Sequence, residues 1–277
     1  MNAILRRTED ARSHAGEPPA RSDALRKTGF DHYQLHPADL GDDSGRFLEQ
    51  IGEEFDRLPC DPYGGGTDNR FRSYARGVVL PWERKLTWLP TATDMYGRPT
   101  TEYYQGKYNP EFANRKRALR ALSDDIKRSP ILHRLIWMDF DLTFWPAPYQ
   151  AVPLLLGVSF IKMGVDAEHR SAFSTPDSFH QDGEVFTFAH LIKREHVAGG
   201  LNAIAKPACA GRRLTEIGDS ELLATFELRR PLETYAIFDP LVSHYVSPIE
   251  LAPGELRGER SIMLIDFTPY IPAHYVD

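Results

Sequence analysis

His180 and Asp182 stand two residues apart in Thr175-Pro176-Asp177-Ser178-Phe179-His180-Gln181-Asp182-Gly183-Glu184. On an extended backbone, side chains at i and i+2 leave the same face, so this imidazole and this carboxylate can bind one cation together. The spacing alone carries little weight. With 10 His and 39 acids in 277 residues, composition gives about one such pair by chance. A third ligand has to come from further along the chain, where His190, His196, His244 and His274 follow. His190 sits inside an apolar strand and reads as a packed, hydrogen-bonded histidine. His196 belongs to a polar turn, and His274 falls in a Pro-flanked tail. His244 follows the strand Tyr235-Ala236-Ile237-Phe238 and a turn at Asp239-Pro240, with enough chain before it to return beside the first pair. Two neutral imidazoles and one carboxylate on one face of an octahedron leave three positions open, a set that suits iron(II) and oxygen chemistry.

Arg260 lies sixteen residues after His244 and opens the strand Arg260-Ser261-Ile262-Met263-Leu264-Ile265-Asp266-Phe267. A guanidinium at the head of an apolar strand is costly to bury without an anion. The distal carboxylate of 2-oxoglutarate, held bidentately, would serve, and a protein carboxylate is the alternative. Asp266 is a poor candidate, because six residues of extended strand span about 20 Å.

The elements that must position these residues follow a simple order. Ser44 to Leu58 has Phe47, Leu48, Ile51, Phe55 and Leu58 at helical spacing, with Ser44 as N-cap. Phe71 to Leu89 reads as strand, Pro110 to Arg128 as a second amphipathic helix, and Ile131 to Phe144 as a third apolar stretch. After Pro153, short segments of high β-propensity alternate with turns: 154–163, 185–193, 202–206, 222–228, 234–238 and 260–267. Ala198-Gly199-Gly200 predicts a hairpin between two of them. Helices first and many short strands afterwards predict a mainly β fold with flanking helices, a sandwich or barrel with a helical buttress. The domain expectation is a flexible segment over 1–27 and a single domain over 28–277.

Bulk composition narrows the partners. A formal charge of -6 argues against nucleic acid or an anionic membrane as the main partner. The two cysteines, Cys60 and Cys209, are too far apart for a CxxC pair, so a disulfide framework or thiolate zinc site is not expected. The longest apolar run, Ala151 to Ile161, is too short to span a bilayer, and Glu9 and Asp10 interrupt any leader, so a cytoplasmic location is expected.

The order His-x-Asp, long gap, His, shorter gap, Arg resembles the iron(II)/2-oxoglutarate dioxygenases. Phe179-His180-Gln181-Asp182-Gly183, His190-Leu191-Ile192, Val197-Ala198-Gly199-Gly200, Phe238-Asp239 and Ser243-His244-Tyr245 resemble the bacterial L-isoleucine dioxygenases and related free amino acid hydroxylases. The likeness is clear over about residues 150–270 and looser upstream, through Arg70-Phe71-Arg72-Ser73-Tyr74 and Tyr104-Gln105-Gly106-Lys107-Tyr108-Asn109. It implies a cupin-like double-stranded β-helix (jelly roll) with iron at His180, Asp182 and His244, 2-oxoglutarate at Arg260, and O2 as oxidant. It also implies a small-molecule substrate, with hydroxylation of an aliphatic C–H bond as the reaction. Arg72, Tyr74 and Lys162 are then candidates for a substrate carboxylate, Lys162 standing where the family often has Arg. Gln105 and Asn109 are candidates for other polar groups, and Glu184 for an ammonium. Ser261, adjacent to Arg260, points to the opposite face and receives no role. Desaturation or ring closure by the same chemistry, a non-redox jelly-roll metal-binding module and a homodimer stay open at this point.

Overall fold

A computed structural model describes residues 20–64, 69–106, 108, 114–174 and 176–270. Seven strands make the main sheet: β1 (Phe30–Gln34), β2 (Arg70–Leu80), β3 (Lys85–Trp88), β7 (Leu154–Asp166), β9 (Phe186–Glu195), β13 (Glu233–Phe238) and β16 (Arg257–Pro269). Their order is β1-β13-β9-β16-β7-β2-β3, and every pairing is antiparallel. Three small sheets accompany it. One joins β10 (Val197–Gly199), β15 (Ile249–Leu251) and β8 (Ser171–Ala172), and a second joins β12 (Leu222–Glu227), β11 (Leu201–Ala205) and β14 (Ser243–Val246). The third, β4 (Ala92–Thr93), β5 (Pro99–Tyr103) and β6 (Arg117–Arg120), lies beside β2, with which Tyr74 and Ala121 make a single bridge.

Alternation along the strands decides what each face of the main sheet meets. Val158 and Phe160 of β7, Phe186 and Phe188 of β9, and Met263, Ile265 and Phe267 of β16 share one face and are buried. That face packs on helices α2 (Ser44–Asp56) and α4 (Pro130–Leu142), through Phe47, Ile51, Phe55, Leu132, Leu135 and Ile136. The intervening residues, including Ala189, Leu191, Tyr235 and Ile262, face inward and meet Ile204 of the second small sheet and Val242 just before β14. Met163 and Val165 meet Ala172, Ile249 and Leu251 from the first in the same way. Main and small sheets thus form the two layers of a jelly roll, with the helices buttressing its outside.

Several local expectations are corrected. Within the stretch expected as a helix over 110–128, residues 110–113 lie outside the described residues, Arg117–Arg120 is the strand β6, and among the described residues only Asp124–Arg128 (α3) is helical. Pairing of β6 with β5 and burial of Leu119 override the local helical pattern. The hairpin at Ala198-Gly199-Gly200 does not form. Gly199 and Gly200 both adopt positive φ and carry the chain from one small sheet into another, β10 pairing with β15 and β11 with β12 and β14. Asp43 rather than Ser44 is the N-cap of α2. Helix α1 (Ala20–Thr28) begins within the segment expected to be loose and buries Leu25 against the core. Among the described residues no helix is long and apolar enough to cross a membrane.

Candidate metal centre and the cavity around it

His180 and His244 face each other across a single antiparallel bridge. Each backbone N–H donates to the other's carbonyl at 2.9 Å, the hydrogen-bonded pairing that sets two directly opposite side chains on one face. The ring centroids are 4.3 Å apart. Asp182 completes the group: its Oδ1 lies 3.7 Å from His180 Nε2 and its Oδ2 lies 3.4 Å from His244 Nε2. One ligand atom from each of the three residues falls within 4.8 Å of the others.

The protonation of the imidazoles matches metal binding. His180 Nδ1 lies 2.9 Å from the Ser178 carbonyl, which only accepts, so Nδ1 carries the proton and the Nε2 lone pair is left toward Asp182. Burial, and then the neighbouring His180, push His244 down to about 4 against the pull of Asp182, so His244 is neutral at physiological pH. Two neutral nitrogens and a carboxylate oxygen converging on one point are a donor set that fits iron(II).

The turn carrying Asp182 is clamped to the turn before His244. Asp239, 3% exposed, accepts from the backbone N–H of Asp182 and of Gly183 with its two oxygens, each at 3.1 Å. Gln181 Nε2 donates to the carbonyls of Asp239 at 2.6 Å and Val242 at 3.1 Å. Gly183 has φ +83, and a Cβ there would run into the Tyr108 ring, so glycine is required on both counts.

Around the triad lies a cavity whose walls include Arg70, Arg72, Tyr103, Arg117, Tyr235 and Arg260. Arg260 is 3% exposed, its Nε has no partner, and among the described residues no carboxylate pairs with it. Burial, with Arg194 adding to it, lowers its pKa to about 10 against the opposing influence of Tyr235, which still leaves it charged. Arg260 pairs with Met163 of β7, which pairs in turn with Arg70 of β2, so the two arginines stand in one row across the sheet. Arg70 is answered by Asp61 at 3.2 Å. Arg72, two residues on and 4% exposed, donates from Nη2 to Ser159 Oγ at 3.0 Å and lies 4.4 Å above the Tyr103 ring. Arg117 approaches the same ring at 4.6 Å and donates to Gln105 Oε1 at 2.6 Å. Gln105 Nε2 points on to Asp182 Oδ1 at 3.3 Å.

Not every expected site residue reaches this cavity. Lys162 does not: Ile161 and Met163 face inward, so Lys162 points outward over Phe71 at 5.0 Å, beside Glu195 and Glu259 in another depression. Tyr74 lines a neighbouring cavity with Glu184 and Asp266 instead. Asn109 and His274 lie outside the described residues. His190 is fully buried between Thr234 Oγ1 and Asp139 Oδ2, both at 2.8 Å, and tethers α4 to the sheet. Sequence reasoning gave no role to Arg117, Asp239 or Asp266. Arg117 was hidden in the expected helix, whereas the period-two run of Arg70, Arg72, Tyr74 and Arg76 on β2 was a visible sign of a polar inner face.

A jelly roll that gathers two histidines, one aspartate and a buried arginine around one cavity defines the class as a non-haem metal oxygenase fold. Comparison with known proteins agrees. The family model described as 2OG-Fe dioxygenase matches residues 52–266, and the chain belongs to that family, whose enzymes use iron(II), 2-oxoglutarate and O2. Among solved structures, a bsmA homolog from Methylobium petroleophilum PM1 superposes with a TM-score of 0.71 at 18% identity, covering 92% of this chain and 95% of that one. IDO from Bacillus thuringiensis gives 0.68 at 20% identity, covering 91% and 94%. The Fe(II)/(alpha)ketoglutarate-dependent dioxygenase TqaL gives 0.65 at 13% identity, covering 93% and 88%. No curated protein matches the chain in sequence.

Proposed function

We propose that His180, Asp182 and His244 hold iron(II), that Arg260 receives the distal carboxylate of 2-oxoglutarate, and that the substrate is a free amino acid or a small molecule derived from one. The observation that carries this reading is the convergence of three ligand atoms within 4.8 Å beside a buried Arg260 that pairs with no described carboxylate. With iron, 2-oxoglutarate and O2 bound, the centre supplies an oxidation that yields succinate, CO2 and one oxygen atom inserted into an aliphatic C–H bond.

The protein's part is placement and charge. The Asp239 clamp holds Asp182 toward the histidines, and the Ser178 carbonyl fixes the tautomer of His180. Arg72 is the side chain suited to a substrate carboxylate. It is buried, its Nε has no hydrogen-bond partner among the described residues, and Ser159 Oγ and the Tyr103 ring meet the rest of its guanidinium. Arg72 and Arg117, both over the Tyr103 ring, give this cavity a positive lining that suits an acid. The amino acid reading also has the support of the motifs shared with the free amino acid hydroxylases.

Succinate formation measured across the twenty free amino acids tests the enzyme class and the substrate together. At least one amino acid should raise succinate well above the background without substrate, and His180→Ala and Asp182→Ala should each abolish the increase. A background-level response to all twenty would sink the amino acid reading.

A further inference from the structure

The metal cavity is lined by arginines; the cavity next to it is lined by groups of the opposite sign. This second cavity, of about 260 Å³, meets the first at Asp182 and Gln105, which line both. Its walls carry the rings of Tyr74, Tyr104 and Tyr108 and the carboxylates of Glu184 and Asp266. Glu184 Oε2 is shielded from water and has no hydrogen-bond partner among the described residues. Asp266 pairs in register with Gly157 of β7, and its carboxylate lies where a Cβ of residue 157 would stand, so glycine there makes room for it. Among the described residues, the cationic side chain in these walls is Arg76, which already meets Glu102 at 4.0 Å.

Two carboxyl groups, one with an oxygen shielded from water, and three tyrosine rings line one space, and the face of an aromatic ring is the negative part of its quadrupole. An apolar group entering it would leave Glu184 Oε2 without a hydrogen-bond partner. A compact organic cation would satisfy both acids and meet the ring faces.

We propose that this cavity seats a protonated amino group of the substrate, between Glu184 and Asp266 and against the tyrosine rings. The proposal rests on the amino acid reading above and sharpens it. The substrate enters with its nitrogen free and charged, and an N-acylated or 2-hydroxy analogue of the same skeleton is refused. Because Asp182 lines both cavities, an ammonium held here leaves the adjoining carbons beside the metal.

The test uses n-butylammonium chloride as a bare cation and 1-butanol as its neutral counterpart. Each is titrated by calorimetry into the full-length protein loaded with iron(II) and 2-oxoglutarate without oxygen. Saturable binding is expected for n-butylammonium and none for 1-butanol. Glu184→Gln and Asp266→Asn should each weaken the ammonium by about tenfold or more, the loss expected for one charge-assisted hydrogen bond. Should either variant lose its circular-dichroism signature of folding, Tyr104→Leu on the half-exposed wall reads the same cavity, with an expected weakening of about fivefold from the lost cation–π contact. Absence of saturable ammonium binding, equal binding of 1-butanol, or wild-type affinity in the variants would overturn the proposal. The succinate panel separates the two readings. Variant-sensitive ammonium binding with no responsive amino acid would overturn the amino acid reading and keep the cation seat, and an amino acid turned over with variant-insensitive ammonium binding would do the reverse.

Discussion

At the scale of single residues, the site divides into groups that touch the bound species and groups that hold them in place. On the proposed reading Arg260 is of the first kind: a guanidinium 3% exposed within β16, in the same cavity as His180, Asp182 and His244. Arg260→Ala should raise the KM for 2-oxoglutarate by about 100-fold with a smaller effect on iron affinity, as expected when a bidentate charge-assisted pair is lost. Arg260→Lys should recover only part, because an ammonium cannot reproduce the two parallel donors. Steady-state kinetics at varied 2-oxoglutarate measures both, and an unchanged KM in the alanine variant would remove Arg260 from the co-substrate site. Asp239 is of the second kind, since its carboxylate meets the turn carrying Asp182 through the backbone N–H groups of Asp182 and Gly183. Asp239→Ala should weaken iron(II) about 10- to 100-fold while leaving the fold intact, the usual size of effect for an outer partner of a metal ligand. Calorimetric iron titration beside far-ultraviolet circular dichroism decides it, and wild-type iron affinity would show the clamp to be dispensable.

At the scale of elements, what could be read from sequence and what could not separate along a physical line. Runs of high β-propensity bounded by turns marked the long central strands, because both faces of each are largely buried. Segments 154–163, 185–193 and 260–267 fall within β7, β9 and β16 to within a few residues. His180, Asp182, His244 and Arg260 were legible because each broke an apolar or turn pattern with a group that needs a partner. Elements whose form depends on distant pairing were not legible. Strand β6 carries a helix-like local sequence, and its register is set by β5 across a connection that sequence periodicity cannot see. Lys162 looked like a site residue by its place in a motif, and strand parity turned it outward. The tether of α4 shows the same dependence, since Asp139 and His190 are 51 positions apart and meet at 2.8 Å in a fully buried contact with Thr234. Asp139→Ala strands a buried imidazole and should cost about 3 kcal/mol. Urea unfolding gives the value directly, and a loss below about 0.5 kcal/mol, the range of ordinary surface substitutions, would show that the pair does not fasten the helix to the sheet.

At the scale of the whole molecule, the jelly roll sorts charge along its inner face. Arg70 and Arg260 stand in one row across the main sheet, while Arg76 and Asp266 both face Gly157 in another, six residues further along their strands. The interval is about 20 Å of extended chain, and the metal triad's Asp182 lines the cavities on both sides. On the proposed reading, 2-oxoglutarate meets Arg260 in the row with Arg70, and the amino group of the substrate sits in the row with Asp266. The central claim is that three residues distant in sequence meet at one iron beside a site for 2-oxoglutarate. Its most direct test is the visible charge-transfer band that forms when iron(II) and 2-oxoglutarate are added without oxygen. The band should develop in the wild-type protein with one iron per chain and be lost in His244→Ala, whereas a band of wild-type intensity and iron affinity in that variant would contradict the account.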